Sequence, residues 1–381
     1  MERSFDTAVV PCADYGDNLK GALCQALDAI NGLAFVKEGM TVAIKANLVT
    51  AAKPDTATTV HPRLLEELCR LITDRGARVI IGDSPGGLYN EAVLSHVYKV
   101  AGLTPLEREG VTLNRNFGEK DTAYPEGKVL HSFRYTAYLD EADVIVNVAK
   151  LKCHGMMGMS AAAKNMFGTV PGTLKPEYHF RFPDHADFAN MILDLDEYFK
   201  PVLHLVDAVV GMEGNGPTGG DPRQIGALVA SHSPHQADLV CARLIGLSPE
   251  EVPTLAAARA RGFLGEDRLF GDVDALALSD FRNIAVKSSL QFAGDGKSLF
   301  SRLKGKFFAA ALKSKPALKK KDCVGCGLCK NVCPANAIVI KDKKAVIDRS
   351  LCIRCFCCQE FCPKSAMIVK RPLLAKIASK L

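Results

Sequence analysis

The chain has 381 residues, 14 cysteines, no tryptophan and a formal net charge of +6. The five cysteines before residue 297 show no paired spacing, which argues against a disulfide scaffold and predicts a reducing, cytoplasmic and anaerobic setting. The sequence shows no secretion signal and no apolar run near the roughly 20 residues of a membrane span, so a soluble protein is expected.

Residues 1–296 show alternating strand and helix patterns. Short apolar runs rich in β-branched residues predict strands over 5–10, 41–45, 78–82, 143–148, 204–210 and 227–231. Amphipathic windows predict helices over 18–30, 61–74, 186–198, 234–245 and 250–261. The alternation predicts an α/β body with a mainly parallel sheet and helices on both faces.

Polar residues follow several of these predicted strands, where a parallel sheet binds its ligands. Basic and amide side chains there suit a carboxylate or phosphate, and carboxylates suit proton transfer. The anion-binding candidates are Lys45, Asn47, Asp83, Lys150, Lys152, Lys164 and Asn165. The catalytic candidates are Asp207, Glu213 and His154. Solvated lysines and structural histidines are the alternative interpretation, and no dinucleotide fingerprint or Walker loop is present.

The same segments resemble a family known as domain of unknown function 362. The matching motifs are Lys45-Ala46-Asn47-Leu48, Gly82-Asp83-Ser84-Pro85-Gly86, Lys150-Leu151-Lys152-Cys153-His154, Lys164-Asn165-Met166-Phe167-Gly168 and Asp207 through Gly216-Pro217. The family pattern commonly has threonine at the position of Cys153, so no role for that thiol carries over. The resemblance implies a shared site without naming a reaction, and it implies a frequent attached ferredoxin module.

Residues 297–321 form a predicted linker that is basic throughout, with apolar residues near helical spacing. We expect a short amphipathic helix that packs against the body, with weak contact to a membrane surface as the alternative. The basic tail, 373–381, has the same character.

Two cysteine runs between these segments share the spacing C-x2-C-x2-C-x3-C-P, which is typical of two 4Fe-4S clusters. The fourth cysteine of each run is expected to reach the other cluster. One predicted ligand set is Cys323, Cys326, Cys329 and Cys362, and the other is Cys352, Cys355, Cys358 and Cys333. Cys357 lies out of register. A zinc ribbon, with two separated C-x2-C pairs, fits the runs less well. The stretch resembles bacterial two-cluster ferredoxins, which implies a small α+β module over 322–372.

Charge divides the chain between an acidic body and a basic C-terminal part. Residues 297–381 contain 20 basic and 4 acidic residues, whereas residues 1–296 contain 28 basic and 38 acidic ones. This asymmetry suggests docking within the chain or an acidic redox partner protein. No groove-reading motif is present, so a nucleic-acid partner is not expected.

These features favour an oxidoreductase in which the clusters exchange electrons with a small anionic substrate, or with a further organic cofactor, in the body. The alternative is a non-enzymatic electron carrier or docking subunit for a partner redox enzyme, and a cluster-sensing role is a third hypothesis. A closed cleft with convergent polar groups would favour the enzyme.

Overall fold

The computed structural model describes residues 5–284 and 315–370. The first range forms an α/β body, and the second forms a small domain that holds nine cysteines, here called the cysteine domain. The strands of the body are β1 Thr7–Pro11, β2 Thr41–Lys45, β3 Arg78–Gly82, β4 Val111–Leu113, β5 Glu119–Ala123, β6 Ser132–Thr136, β7 Val144–His154, β8 Gly158–Ser160, β9 Leu203–Glu213, β10 Asp221–Ser231 and β11 Leu269–Phe270. Its α-helices are α1 Asn18–Ala29, α2 Pro62–Thr73, α3 Glu91–Val100, α4 Ala162–Asn165, α5 Lys175–Arg181, α6 His185–Phe199, α7 Pro234–Leu244 and α8 Pro253–Ala260.

Nine of the described strands form one mixed sheet. The order is β11-β1-β10-β9-β7-β2-β3-β4, with β8 paired to the end of β7. Neighbours from β9 through β7, β2 and β3 to β4 are parallel, whereas β10 runs antiparallel to both β9 and β1. The predicted mainly parallel sheet is therefore confirmed, and the carboxyl ends of β9, β7, β2 and β3 lie at one edge.

Helices cover both faces of this sheet. Val148 in β7 packs in one apolar cluster with Leu23 of α1 and Leu68 of α2. The next residue, Ala149, packs in a second cluster with Val240 of α7. Because successive side chains of a strand point to opposite faces, these two clusters lie on opposite faces of the sheet.

The predicted strands over 41–45 and 78–82 appear with the same bounds, whereas β7 and β9 are longer than predicted. The extension of β7 carries Lys150, Lys152 and His154, and these buried polar residues interrupt the apolar pattern by which strands are recognised. The prediction placed them in a loop after the strand, but the structure places them in the strand itself. Sequence patterns also missed α3, the β5–β6 hairpin and the short helices α4 and α5.

The cysteine domain consists of two small antiparallel sheets and two short helices. Its elements are β12 Lys315–Leu318, α9 Leu328–Asn331, β13 Ile338–Lys341, β14 Lys344–Ile347, α10 Cys357–Glu360 and β15 Met367–Lys370. Strand β12 pairs with β15, and β13 pairs with β14. This α+β architecture agrees with the predicted ferredoxin-like module.

The predicted linker, 297–321, overlaps the cysteine domain. Residues 315–318 form strand β12 and pair with β15, so this part of the segment is neither linker nor helix. Residues 297–314 and the predicted tail, 373–381, lie outside the described residues. Within 5–284 and 315–370, none of the helices combines the length and the apolar character needed to cross a bilayer.

Candidate functional site

An amide side chain, Asn165, organises the carboxyl edge of the sheet. Its Nδ2 donates to Asn147 Oδ1 at 2.7 Å and to the carbonyl oxygens of Lys45 and Val148 at 3.2 Å. Its Oδ1 accepts from Asn47 Nδ2 at 2.8 Å. Asn165 therefore joins α4 to β2 and β7, and it brings the predicted residues of three segments into one buried network.

Two buried lysines of this edge are each paired with a carboxylate. Lys45 Nζ lies 2.7 Å from Asp83 Oδ1, and Lys150 Nζ lies 2.9 Å from Asp207 Oδ2. Burial lowers the pKa of both lysines, and the paired carboxylates oppose that shift. Asp207 also accepts from the Tyr15 hydroxyl at 2.7 Å, so both pairs hold segments of the body together.

Two further lysines have no carboxylate partner. Lys152 Nζ donates to Asn47 Oδ1 at 2.6 Å and to Thr58 O at 2.7 Å, both neutral oxygens. Lys164 forms no hydrogen bond or ion pair with any described residue, and its Nζ lies 5.8 Å from the centroid of the Phe167 ring. Burial lowers the pKa of both groups, and the charge of Lys164 lowers the pKa of Lys152 further. Two ammonium groups without a carboxylate in contact are of the chemical type that binds anions.

Lys175, which the sequence did not single out, is the third lysine of this kind. Its Nζ donates to Ser84 O at 2.7 Å and to Val170 O at 2.6 Å. Burial lowers the pKa of Lys175 to about 7, against the attraction of Asp83, and neighbouring lysines add to the shift. Its charge therefore changes near neutral pH.

These three lysines line a cavity of about 590 Å³ between the body and the cysteine domain, here called the interdomain cavity. Asn47, Asn165, Ser84 and His179 line it as well. The cysteine domain contributes Leu328, Val332, Glu360, Phe361, Cys362 and Pro363 to its wall. The cavity therefore has a cationic side on the body and a mainly apolar side on the cysteine domain.

Glu360 carries negative charge from the cysteine domain into this cationic site. Its Oε1 lies 2.8 Å from His154 Nε2, without the alignment of a hydrogen bond. The other ring nitrogen, Nδ1, accepts from the amides of Met156 and Met157 at 3.1 Å, so the ring is held in one orientation. Burial and the charge of Lys164 lower the pKa of His154 to about 4. Burial raises the pKa of Glu360, but His154 and Lys164 lower it to below its usual value.

The glycine-rich loop after β9 holds the cysteine domain in place. Gln359 Nε2 donates to Asn215 O at 2.8 Å and to Gly216 O at 3.0 Å. In return, the Thr218 hydroxyl donates to the carbonyl oxygen of Glu360 at 3.0 Å. This loop, which includes the end of the motif Asp207 through Gly216-Pro217, is therefore a docking surface for α10.

The cysteine domain has two small cavities, each lined by four of the predicted cysteines. The first is lined by Cys323, Cys326, Cys329 and Cys362. The second is lined by Cys333, Cys352, Cys355 and Cys358. Both groupings contain the same residues as the predicted ligand sets, including the exchange of the fourth cysteine between the runs.

Local backbone geometry also suits iron–sulfur ligation. Gly325 and Gly327 have φ angles of 71° and 83°, and Arg354 and Phe356 occupy the same left-handed region at the matching positions of the second run. The Ala366 amide donates to Cys362 Sγ at 3.3 Å, and the Ala337 amide donates similarly to Cys333 Sγ at 3.2 Å. Amide donors to thiolate sulfur are a feature of cluster sites. Cys357 is buried but does not line either cavity.

Comparison with known proteins identifies both parts of the chain. Residues 42–243, just over half of the chain, match the model of the domain of unknown function 362. The chain belongs to the domain of unknown function 362 family. Residues 315–363 match the model of a 4Fe-4S dicluster domain, so this family member carries an iron–sulfur, ferredoxin-like domain that binds 4Fe-4S.

A thylakoid-associated protein of Synechocystis sp. is 30% identical to this family member over 247 residues, which cover 64% of this chain and 75% of that protein. The lactate racemase apoprotein from Thermoanaerobacterium thermosaccharolyticum aligns with a TM-score of 0.43 and 14% identity over 65% of this chain and 59% of its own. A structural-genomics protein from Thermotoga maritima aligns with a TM-score of 0.36 and 12% identity, over 59% of this chain and 57% of its own. The chain spans less than two thirds of the length of these two solved structures.

The predicted site residues of this family member fall into two groups. Asn47, Asp83, Lys152, Lys164 and Asn165 line the interdomain cavity, and Lys45 and His154 contact residues that line it. The structure places Lys150 with Asp207, behind the cavity wall. It places Glu213 against Arg282, whose Nε lies 2.7 Å from Glu213 Oε1.

Asp207 and Glu213, the predicted proton-transfer carboxylates, are therefore absent from the cavity lining that the structure describes. The carboxylate of Glu360 is there instead, and the sequence analysis missed it. The sequence did contain a feature that singles out this residue, because Glu360 is the one acidic residue between Cys352 and Cys362. Lys175 carried no such signal, because α5 was not predicted.

Proposed function

We propose that this protein is an iron–sulfur oxidoreductase in which two 4Fe-4S clusters pass electrons to or from an anionic substrate or cofactor bound in the interdomain cavity. One observation carries the proposal. The cavity is lined both by Lys152, Lys164 and Lys175 and by Cys362, which also lines the first cysteine cavity. A bound anion would therefore lie beside a cluster ligand.

The ligands of the proposed clusters are the two cysteine sets that line the small cavities of the cysteine domain. Cys323, Cys326, Cys329 and Cys362 would hold one cluster, and Cys352, Cys355, Cys358 and Cys333 would hold the other. When bound, such clusters supply or accept single electrons. The amides of Ala337 and Ala366 would stabilise thiolate charge at the fourth cysteine of each run.

The body residues bind and orient the anion. Lys152 and Lys164 supply positive charge, and Asn47 holds the Lys152 ammonium in place through its Oδ1. The cysteine domain forms the opposite wall of the cavity, so it limits the access of water to the bound molecule. Charged contacts are stronger where water is excluded, which favours retention of an anion.

Lys175 is our candidate for proton transfer. It lines the cavity, and its pKa of about 7 lies close to the neutral pH at which a general acid or base is most effective. Asp207 forms an ion pair with Lys150, and Glu213 forms one with Arg282. We therefore transfer to Lys175 the role that the sequence suggested for those carboxylates.

A carrier or docking subunit needs an exposed face, whereas the lysines of this protein converge in a cleft between two domains. That geometry favours an enzyme over a carrier. A cytoplasmic, anaerobic setting, an acidic redox partner and a further organic cofactor stay predictions.

The test is anaerobic purification of the full chain, with mass spectrometry of small molecules that leave the protein on denaturation. We expect an anionic compound with the wild type and its loss in Lys164→Met, with iron content unchanged. Lys20→Met, which removes an exposed lysine from α1, is the matched control. The redox role is tested by adding the compound to the reduced protein. If the compound neither oxidises the reduced clusters nor reduces the oxidised ones, as read from their electron paramagnetic resonance, the proposal is contradicted.

A further inference from the structure

The five lysines at the carboxyl edge of the sheet, of which Lys45, Lys150 and Lys152 are fully buried and Lys164 and Lys175 partly buried, differ in what neutralises them. Lys45 and Lys150 each contact a carboxylate, and neither lines the interdomain cavity. Lys152, Lys164 and Lys175 line the cavity and contact no carboxylate among the described residues. The unneutralised charge is therefore concentrated where a ligand has access.

Two carboxylates line the same cavity in the described part of the chain, and one of them is already paired. Asp83 contacts Lys45, which leaves Glu360 to face the three lysines. Lys53 also lines the cavity, but it is exposed to solvent, which screens its charge. With Lys152, Lys164 and Lys175 protonated, these three lysines carry two positive charges more than Glu360 neutralises. Buried charge is costly unless a partner neutralises it, so a ligand with two negative charges matches this site better than one with a single charge.

Lys164 is the centre of this positive charge. Its charge lowers the pKa of Lys152 and of Lys175, so it lies within electrostatic range of both. Its ammonium has no hydrogen-bond acceptor among the described residues, although three N–H groups are available to donate. A head group with several oxygens would satisfy these donors and reduce the repulsion among the lysines.

The opposite wall has a different character. Leu328, Val332 and Phe361 of the cysteine domain present apolar surface beside Cys362. A volume of about 590 Å³ exceeds what a simple inorganic anion fills, and it lies within the range typical of small organic ligands. The part of the ligand that faces the cysteine domain should therefore be apolar.

We infer that the interdomain cavity binds an amphipathic organic dianion, with its doubly charged head group at Lys164 and its apolar part against Phe361 and Val332. This names the ligand class for the site of the proposed function and rests on that proposal. A phosphate monoester and a dicarboxylate share the required head-group chemistry. The apolar part is then the part next to the first cysteine set.

The test is calorimetric titration of the oxidised, cluster-containing full chain at pH 7 with probes that share a benzene ring. Phenyl phosphate and phthalate are dianions, benzoate is a monoanion and phenol is neutral. We expect at least one dianion to bind about 10-fold or more tightly than benzoate, because a charge-assisted contact is worth at least that factor. The ratio of phenyl phosphate to phthalate then separates phosphate from dicarboxylate. Phenyl phosphate should also bind more tightly than inorganic phosphate, because of the apolar wall.

Lys164→Met should weaken binding of the preferred dianion about 10-fold or more, whereas Lys20→Met should leave it unchanged. Lys164→Arg keeps the positive charge, so it should keep the preference for dianions. This variant tests the role of the charge even if Lys164→Met does not fold. Equal affinity for benzoate and both dianions, no binding of any probe, or full affinity in folded Lys164→Met would overturn the inference.

Failure of the inference and failure of the proposed function give different results. The titrations require no electron donor, so they test the charge of the ligand alone. If dianions bind but the clusters never change oxidation state with the co-purified compound, the oxidoreductase proposal fails and the ligand class stands. If electrons reach a ligand that is neutral or singly charged, the ligand class is wrong and the oxidoreductase proposal stands.

Discussion

Gly168 is the position at which the packing of the site can be tested most directly. A Cβ added there would lie 2.3 Å from Asp83 Oδ1 and 2.5 Å from Lys45 Nζ. Both are far closer than van der Waals contact, and both atoms belong to a buried ion pair. Gly168→Ala must therefore separate the pair or shift the loop after α4.

The expected cost follows from these two effects. Overpacking of a well-packed site costs about 1–3 kcal/mol, and disruption of a buried ion pair costs about 3–5 kcal/mol. Because the loop can move and part of the pair can survive, we expect Gly168→Ala to reduce the free energy of unfolding by about 2–4 kcal/mol. Urea unfolding followed by circular dichroism measures this as a lower transition midpoint.

Gly21→Ala is the matched control. Gly21 lies in α1 with no atom within 4 Å of an added Cβ, so alanine there should stabilise the protein by roughly 0.5–1 kcal/mol. If Gly168→Ala unfolds at the same urea concentration as the wild type or Gly21→Ala, the close approach of Gly168 to the Lys45–Asp83 pair is refuted.

Three other outcomes test separate parts of the structure. Reconstituted protein should contain about eight iron and eight sulfide per chain, and Cys326→Ala should lower the iron content whereas Cys357→Ala should not; equal loss in both variants would contradict the assigned ligands. Anion retention should fall as pH rises through about 7, because Lys175 loses its proton there, and Lys175→Met should show a flatter pH profile; an unchanged profile would remove Lys175 from the site. Gln359→Ala should weaken docking of the cysteine domain by about 1–3 kcal/mol, since two carbonyl acceptors lose their donor, and hydrogen exchange at Val369 should speed up. Gln224→Ala, which removes an amide contact to Ala13 on the body, should leave that exchange rate unchanged.

Sequence patterns predicted the centre of the sheet well because its strands are short, apolar and buried on both faces. Strands β2 and β3 have the predicted bounds for this reason. The end of β7 was not predicted as strand because Lys150 and Lys152 are charged, and their partners are distant in sequence. Lys150 contacts Asp207 and Lys152 contacts Asn47, and no local pattern reports such contacts.

The charge asymmetry of the chain suggested that a basic module docks on an acidic body. The structure shows the two domains in contact, but there the cysteine domain contributes the negative charge and the body contributes the positive charge. At the contact, the acidic Glu360 of the basic domain faces His154 and Lys164 of the acidic body. Net charge describes the long-range field of a domain, whereas the contact depends on a few buried side chains. The position of the interdomain cavity therefore required the structure.

The shared position of Cys362, which lines both the first cysteine cavity and the interdomain cavity, has a practical consequence. Light absorption by an iron–sulfur cluster arises in part from its thiolate ligands. A molecule that binds against Cys362 should therefore change the visible spectrum of the protein as it binds. The protein would then report binding by its own colour, so collections of candidate compounds could be screened by absorption alone.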